Sequence, residues 1–340
     1  MRLGRSRPVV SAPTPDATTV SVIMAAYQHE DFVAEAVTSV LAQSHDNLEL
    51  IVVDDGSTDR TAQIVAGFRD PRLQLVELPR NRIQHARNLG LSMATGDLVA
   101  FQNSDDVWAE SKLSKQVALL HDAPANAAVF SRVRFIGPDS EPQDGGWARE
   151  AFMGTEANSI AWLRRFFDHG NDLCISSALC RRADLQRVGG FNPALIQTSD
   201  LDLWVRLAAL GELVIVEEQL TSMRIDAERN LSAPSQTVNN RSVLELASIL
   251  DRYTRDPIRP LLPRIFPGIG ENGRLGPVLM AQLAVYGIRH HGQAQQLFGD
   301  QLFARVLAQP GGYDRIVEVF GPEVILEYYA HRGQLVIHSE

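Results

Sequence analysis

Within the first 106 residues, three short apolar runs each end on a cluster of polar side chains. VSVIMAA (Val20–Ala26) runs into Tyr27-Gln28-His29, LELIVV (48–53) into Asp54-Asp55-Gly56-Ser57, and DLVAFQ (97–102) into Asn103-Ser104-Asp105-Asp106. Runs this short, apolar and rich in β-branched residues suit parallel strands buried on both faces. Between the first two, Phe32, Val33, Ala36, Val37, Val40 and Leu41 recur at helical spacing over residues 31–43. A helix over 60–68, capped by Thr58 or Asp59, a strand over 73–78 and a helix over 83–94 closed by Gly96 complete the series. This alternation predicts a mostly parallel sheet with helices on both faces. Ligands of such sheets bind beyond the carboxyl ends of the strands, where these three polar loops lie.

The pattern continues less regularly. Residues 112–120 read as a helix, 127–136 as a strand, 137–146 as a loop, 159–167 as a helix and 173–180 as a strand. A helix over 201–210 follows, then two closing strands over 213–216 and 221–225. Beyond Ala233-Pro234 helical periodicity dominates, interrupted by PLLPRIFPGIGENGRLGP. Residues 278–288 are apolar enough to form an internal core. Acceptor binding, membrane contact and subunit pairing are other uses of these helices. The chain thus divides into a flexible tail (1–18), an α/β domain (19–233) and a helical C-terminal region (234–340).

Bulk properties exclude several classes. A net charge of -9 argues against general nucleic-acid binding. The only cysteines, Cys174 and Cys180, form no CxxC pair, which removes a zinc ribbon and a thioredoxin motif and fits a reducing compartment. No apolar run approaches the roughly 18–20 residues of a membrane span. The basic start lacks the apolar stretch of a secretory signal. The expected location is the cytoplasm, with the inner membrane surface as a variant. No HExxH, GxSxG or Walker loop is present, so a hydrolase triad has no anchor.

Four places carry candidate chemistry. Adjacent carboxylates at a strand end, Asp105-Asp106, suit a hard cation such as Mg2+ or Mn2+ that also takes diphosphate oxygens. Either residue could instead cap the following helix. Asp54-Asp55-Gly56-Ser57 could accept hydrogen bonds from a base or a ribose, or simply form an Asp-Gly turn. Arg87, in a helix ahead of the fourth strand, could meet a diphosphate or lie solvated. Asp200 could be a general base or a helix cap, whereas Asp202 points elsewhere on the helix. His290-His291 are adjacent and share no helix face.

In order and spacing, VSVIMAAYQHEDFVAEAVTSVLAQSHDNLELIVVDDGSTDRT, ARNLGLSMATGDLVAFQNSDDVW, VGGFNP and SDLDLWVRLAALGEL resemble the family 2 glycosyltransferases over residues 20–232. The resemblance implies the α/β GT-A fold (Rossmann-like, a mostly parallel sheet flanked by helices) and inverting transfer from a nucleotide-sugar. It implies that Ala26 and Tyr27 line the base, that Asp54 and Asp55 bind the nucleoside, and that Arg87 lies near the nucleotide. Asn103, Ser104, Asp105 and Asp106 form the sugar-nucleotide and metal motif, with Asp106 the main ligand of Mn2+ or Mg2+ and Asp105 assisting. The resemblance likewise implies that Asp200 is the catalytic base and that Arg224 closes over the diphosphate. Three positions depart from the family pattern: Asn103 replaces an Asp, Ser199 a Glu and Asp226 a His.

The expected function is metal-dependent, inverting transfer of a sugar, UDP-linked as the first expectation, to a hydroxyl of a glycan, lipid-linked or protein acceptor in cell-surface polysaccharide, lipid or protein glycan synthesis. Two alternatives compete with this reading. A nucleotidyltransferase would carry a basic, Gly-rich N-terminal loop, and MAAYQHEDF has neither Gly nor Lys. A degenerate, nucleotide-sugar-binding module of a glycan-assembly complex is favoured only by the three departures. Peripheral membrane association and homo-oligomers through the C-terminal helices are further expectations.

Overall fold

The structure is a computed structural model and describes residues 14–79, 83–123, 125–226, 229–270 and 276–334. The first 13 residues of the expected tail lie outside the described residues.

The chain opens with β1 (Val20–Ala26), α1 (Val33–Leu41), β2 (Leu48–Asp54), α2 (Thr61–Ala66), β3 (Leu73–Glu77), α3 (Ile83–Met93) and β4 (Leu98–Asn103). These strands pair in the order β3-β2-β1-β4, all parallel. Strand alternation divides their side chains between two cores. Val20, Val22, Met24, Leu50, Val52, Leu98 and Ala100 pack against Val33, Ala36, Val37 and Val40 of α1. Ile23, Ile51, Val53, Val99 and Phe101 face the opposite core, with Ala86 and Leu91 of α3. Both faces are covered, so these strands read as near-continuous apolar runs.

The second half begins with β5 (Val107–Trp108), α4 (Lys112–Asp122), β6 (Asn126–Ile136), β7 (Pro142–Gln143), α5 (Ser159–His169), β8 (Leu179–Arg181), α6 (Arg182–Val188), α7 (Ser199–Ala208) and β9 (Glu212–Arg224). The described residues form one nine-stranded sheet, β3-β2-β1-β4-β8-β6-β9-β5 with β7 beside β6. The sheet is mixed where mostly parallel pairing was expected: β8 is antiparallel to both β4 and β6, β5 is antiparallel to β9, and β6 runs parallel to β9. The expected strand over 173–180 is a 3-10 turn (Ile175–Ser177) followed by the short β8. The two expected closing strands are one, β9, whose pairing with β6 shifts register near Ser131 and Arg132.

The remaining helices are α8 (Gln236–Leu250), α9 (Leu262–Ile265), α10 (Pro277–Ile288), α11 (Gln293–Leu307), α12 (Gly312–Phe320) and α13 (Glu323–Gln334). Their apolar faces extend the core that holds α5 and α7: Trp162, Phe167 and Trp204 share it with Tyr253, Phe266, Leu283 and Phe298. The core is therefore continuous across the Ala233-Pro234 junction. Among the described residues, no helix is long and apolar enough to cross a membrane.

Candidate active site

Register brings the polar loops together. Ala25 of β1 pairs with Val53 of β2 and Asn103 of β4, and Ala26 pairs with Asp54. The three strands therefore end level, and β1 lies between the outward-running β2-β3 pair and β4, the switch point at which such sheets bind ligands. Above these ends lies a cavity of about 380 Å3 lined by Ala26, Tyr27, Asp55, Arg87, Asn103, Ser104, Asp105, Asp106, Asp200 and Arg224. Of the site residues named from sequence, Asp54 alone is missing from this lining. Its Oδ2 accepts from Ser57 N–H at 3.0 Å, so it shapes the turn. Asp55 faces the cavity, and its N–H donates to Ala26 C=O at 2.8 Å.

Two larger hollows, of about 890 and 550 Å3, lie elsewhere. The first runs along α7 and α8, where Asp202 pairs with Arg206 and Arg252. The second is lined by Asp168, Tyr286 and His290. Neither is lined by a residue from the ends of β1, β2 or β4.

Asp106 is held from three sides. Its Oδ1 accepts from the Arg224 backbone N–H at 2.9 Å, and its Oδ2 accepts from Asn103 Nδ2 at 3.1 Å and from the Ser176 hydroxyl. Asp105 is the less enclosed of the pair, and its Oδ2 accepts from Asn230 Nδ2 at 3.3 Å. Burial pushes both carboxyls up toward neutrality, and for Asp106 the neighbouring charge of Asp105 pushes further in the same direction. Two buried carboxylates that resist ionising together are a fitting donor set for a hard divalent cation. Among the described residues no group of three or more His, Cys, Asp or Glu side chains gathers to hold a metal. The remaining coordinating oxygens would therefore come from water and a diphosphate. Asp226 adds negative charge near Asp105 without lining the cavity.

Arg87 approaches this motif from α3. It donates to Asn103 Oδ1 at 3.2 Å, and its buried charge is offset by Asp200 and Asp105. Arg224, which also lines the cavity, is held by several bonds. Its Nε donates to Asp105 C=O (2.8 Å), Nη1 to Gly137 C=O (2.6 Å) and Nη2 to Glu35 (2.6 Å), while the guanidinium covers the Phe32 ring. All three nitrogens are engaged, and with its backbone N–H on Asp106 the residue braces the carboxylate pair. Arg229 also lines the cavity, with its Nη1 2.7 Å from Asp31 Oδ2.

Asp200 sits in the first turn of α7. Its Oδ1 accepts from Leu201 N–H and its Oδ2 from Asn171 Nδ2, both at 2.8 Å. Burial raises its carboxyl above the usual range, which strengthens it as a base near neutral pH. Asp202 is buried on the other side of the helix against Arg206 and Arg252.

Several site residues escaped the sequence reading. Asn171 and Ser176 orient the two key carboxylates. His29 bonds Ser104 Oγ through Nδ1 at 2.8 Å, and burial lowers its pKa below the usual imidazole range. Gln28 adopts φ 55°, and its Oε1 accepts from Thr58 N–H at 2.8 Å, tying the loops after β1 and β2. Its position in a polar strand-end loop was the only sequence signal.

A family model for glycosyl transferase family 2 matches residues 21–188. An uncharacterised glycosyltransferase of Nostoc is 25% identical over 287 residues, spanning 82% of this chain and 86% of that one. Two other curated relatives, from Haemophilus influenzae and Bacillus subtilis, are matched over 40% and 50% of their length. Among solved structures, Staphylococcus aureus TarS in complex with UDP-GlcNAc superposes with a TM-score of 0.55 at 17% identity, covering 94% of this chain and 93% of that one. The mannosyltransferase PcManGT from Pyrobaculum calidifontis, in complex with GDP-Man and Mn2+, gives 0.53 at 20% identity, covering 97% and 86%. These structures share the GT-A fold, and the relatives carry the glycosyltransferase name. The family match runs from β1 through α6, so residues 21–188 form a family 2 glycosyltransferase domain.

Proposed function

We propose that the chain is a metal-dependent, inverting glycosyltransferase that moves a sugar from a nucleotide-sugar to an acceptor hydroxyl. The observation that carries this reading is the meeting, in one cavity, of Asp55, the Asp105-Asp106 pair and Asp200, with Arg87 in electrostatic contact with both Asp105 and Asp200. Tyr27 and Asp55 would receive the nucleoside at the end of β1 and β2. Asp105 and Asp106 would hold Mn2+ or Mg2+, which supplies counter-charge to the leaving diphosphate. Arg87 and Arg229, which line the cavity, would serve the same purpose, and Arg224, also in the lining, would keep the pair in place. Asp200 would take the proton of the acceptor hydroxyl as its oxygen attacks the anomeric carbon from the face opposite the diphosphate. The sugar–diphosphate C–O bond breaks as the new one forms, which inverts the anomeric centre.

The complexes of TarS with UDP-GlcNAc and of PcManGT with GDP-Man point to different nucleotides, so a panel needs both UDP- and GDP-sugars. UDP remains the first donor to test, and glycan or lipid-linked hydroxyls at the cytoplasmic face are the acceptor class. The test is release of nucleoside diphosphate from that panel with Mn2+ or Mg2+, together with Asp200→Asn. The variant should bind donor as tightly as the parent and lose turnover. Full activity in Asp200→Asn would remove Asp200 as the base. Metal-dependent binding without turnover of any donor would favour a binding module.

A further inference from the structure

The loop that delivers Asp200 to the cavity is held by a residue far along the chain. Glu245, on α8, accepts from three successive backbone N–H groups: Ile196 to Oε1 at 2.9 Å, and Gln197 and Thr198 to Oε2 at 2.8 and 2.9 Å. The Thr198 hydroxyl donates to Oε2 as well, at 3.1 Å. Three consecutive amides turned onto one carboxylate form an anion-binding nest. Thr198 is the N-cap of α7 yet makes no side-chain capping bond of its own. Glu245 therefore supplies, from another helix, the negative charge that favours a helix N-terminus. Only 8% of Glu245 is exposed, so water does little to loosen this arrangement.

The held segment is part of the site. Ile196, Gln197, Ser199 and Asp200 all line the cavity. A second link lies behind the same helix, where Arg252, just beyond α8, pairs with Asp202. The loop leading into α7 and the first turn of α7 are thus each fastened to the C-terminal region, with Asp200 between the two points in sequence.

We propose that Glu245 is a positioning residue for the proton-transfer step, holding the 196–198 loop so that the Asp200 carboxylate sits at the working height in the cavity. This rests on the reading of Asp200 as the base. It also assigns the C-terminal helices a part in catalysis: they carry the anchor of the base.

The experiment compares Glu245→Gln, Asp200→Asn and the double variant in the full chain. Turnover is read as release of nucleoside diphosphate from the best UDP- or GDP-sugar, and donor binding by calorimetry. In Glu245→Gln the side-chain amide turns an N–H toward backbone donors. We expect kcat to fall about 10- to 100-fold, with donor affinity within about twofold, because a displaced base costs rate while the nucleotide subsite stands. The double variant should be no slower than Asp200→Asn alone, since both changes act on one step. Glu245→Asp, which keeps the charge on a shorter arm, should recover part of the loss. A folded Glu245→Gln with parental kcat overturns the proposal and leaves Asp200 as the base. An Asp200→Asn variant with parental turnover overturns both. Losses that multiply in the double variant assign Glu245 a general structural role and overturn the positioning one. If Glu245→Gln does not fold, Thr198→Val removes one bond to the same carboxylate: a lowered kcat at unchanged donor affinity supports the link, and an unchanged kcat overturns it.

Discussion

Asn103 stands between a cation and an anion, and its amide serves both. The carbonyl accepts from Arg87 and the Nδ2 donates to Asp106. A carboxylate at this position could only accept, and it would set a third negative charge against the pair. The departure from the family pattern at Asn103 is therefore compatible with a working site. Asn171 does comparable work for Asp200, donating to Oδ2 at 2.8 Å. A hydrogen bond to the charged form stabilises it, so its removal should raise the Asp200 pKa further. We predict that Asn171→Ala lowers kcat roughly tenfold, the equivalent of about 1.4 kcal/mol, and moves the acidic limb of the kcat–pH profile to higher pH. Donor KM should stay within about twofold. Steady-state profiles from pH 5 to 9 check this, and an unshifted limb would show that Asn171 does not tune the base. The carboxylates were legible because a strand end is a poor place for adjacent Asp residues unless they bind something. Asn171, Ser176 and Glu245 were not, because their partners lie 29, 70 and about 50 residues away and no periodicity records such pairings.

At the scale of elements, the parallel half of the sheet was legible because both of its faces are buried and its strands are continuous apolar runs. β9 was not, because residues 217–219 (Glu-Glu-Gln) interrupt the apolar pattern while the backbone continues through a register shift. β8 was read too long and too early, as a strand over 173–180: its three residues, wedged between β4 and β6, carry too little alternation to mark where it starts. The seating of α3 shows how an element sets the site. A Cβ at Gly90 would stand 2.5 Å from Ile23 Cγ2, so the helix lies on β1 at a distance only glycine permits. Arg87 is on the same helix, three residues earlier. Alanine in place of Gly90 would gain about 1 kcal/mol of helix propensity and lose about 1–3 kcal/mol to overpacking. We predict that Gly90→Ala is net destabilising in urea unfolding and weakens donor binding by displacing Arg87. A stabilised Gly90→Ala would mean that Ile23 moves aside freely.

At the scale of the whole molecule, sequence periodicity identified helices beyond residue 233 but not the surface they cover. Phe167 of α5 meets Tyr253, Phe266 and Phe298 at ring separations of 5.1, 4.9 and 5.7 Å, so these helices close the core beneath α7. A core shared in this way makes the site's electrostatics a term in the stability of the entire fold. The folded-state pKa values of Asp105 and Asp106 lie above the unfolded carboxylate range of about 4. Below that range both states are protonated and the pair contributes nothing. As pH rises toward neutrality the unfolded chain releases its protons first, so the pair withdraws stability across that window and the loss levels off once the folded pair ionises. A divalent cation that binds only the ionised, folded pair reverses this, by about 2.7 kcal/mol at a hundredfold excess over Kd. We therefore predict that Mn2+ raises the thermal midpoint little at pH 5 and substantially at pH 8. Asp106→Asn should lose most of the Mn2+ response. Other groups titrate over the same range, so the difference between parent and variant is the quantity to measure. An equal Mn2+ response at both pH values, or one retained in Asp106→Asn, would place the metal elsewhere.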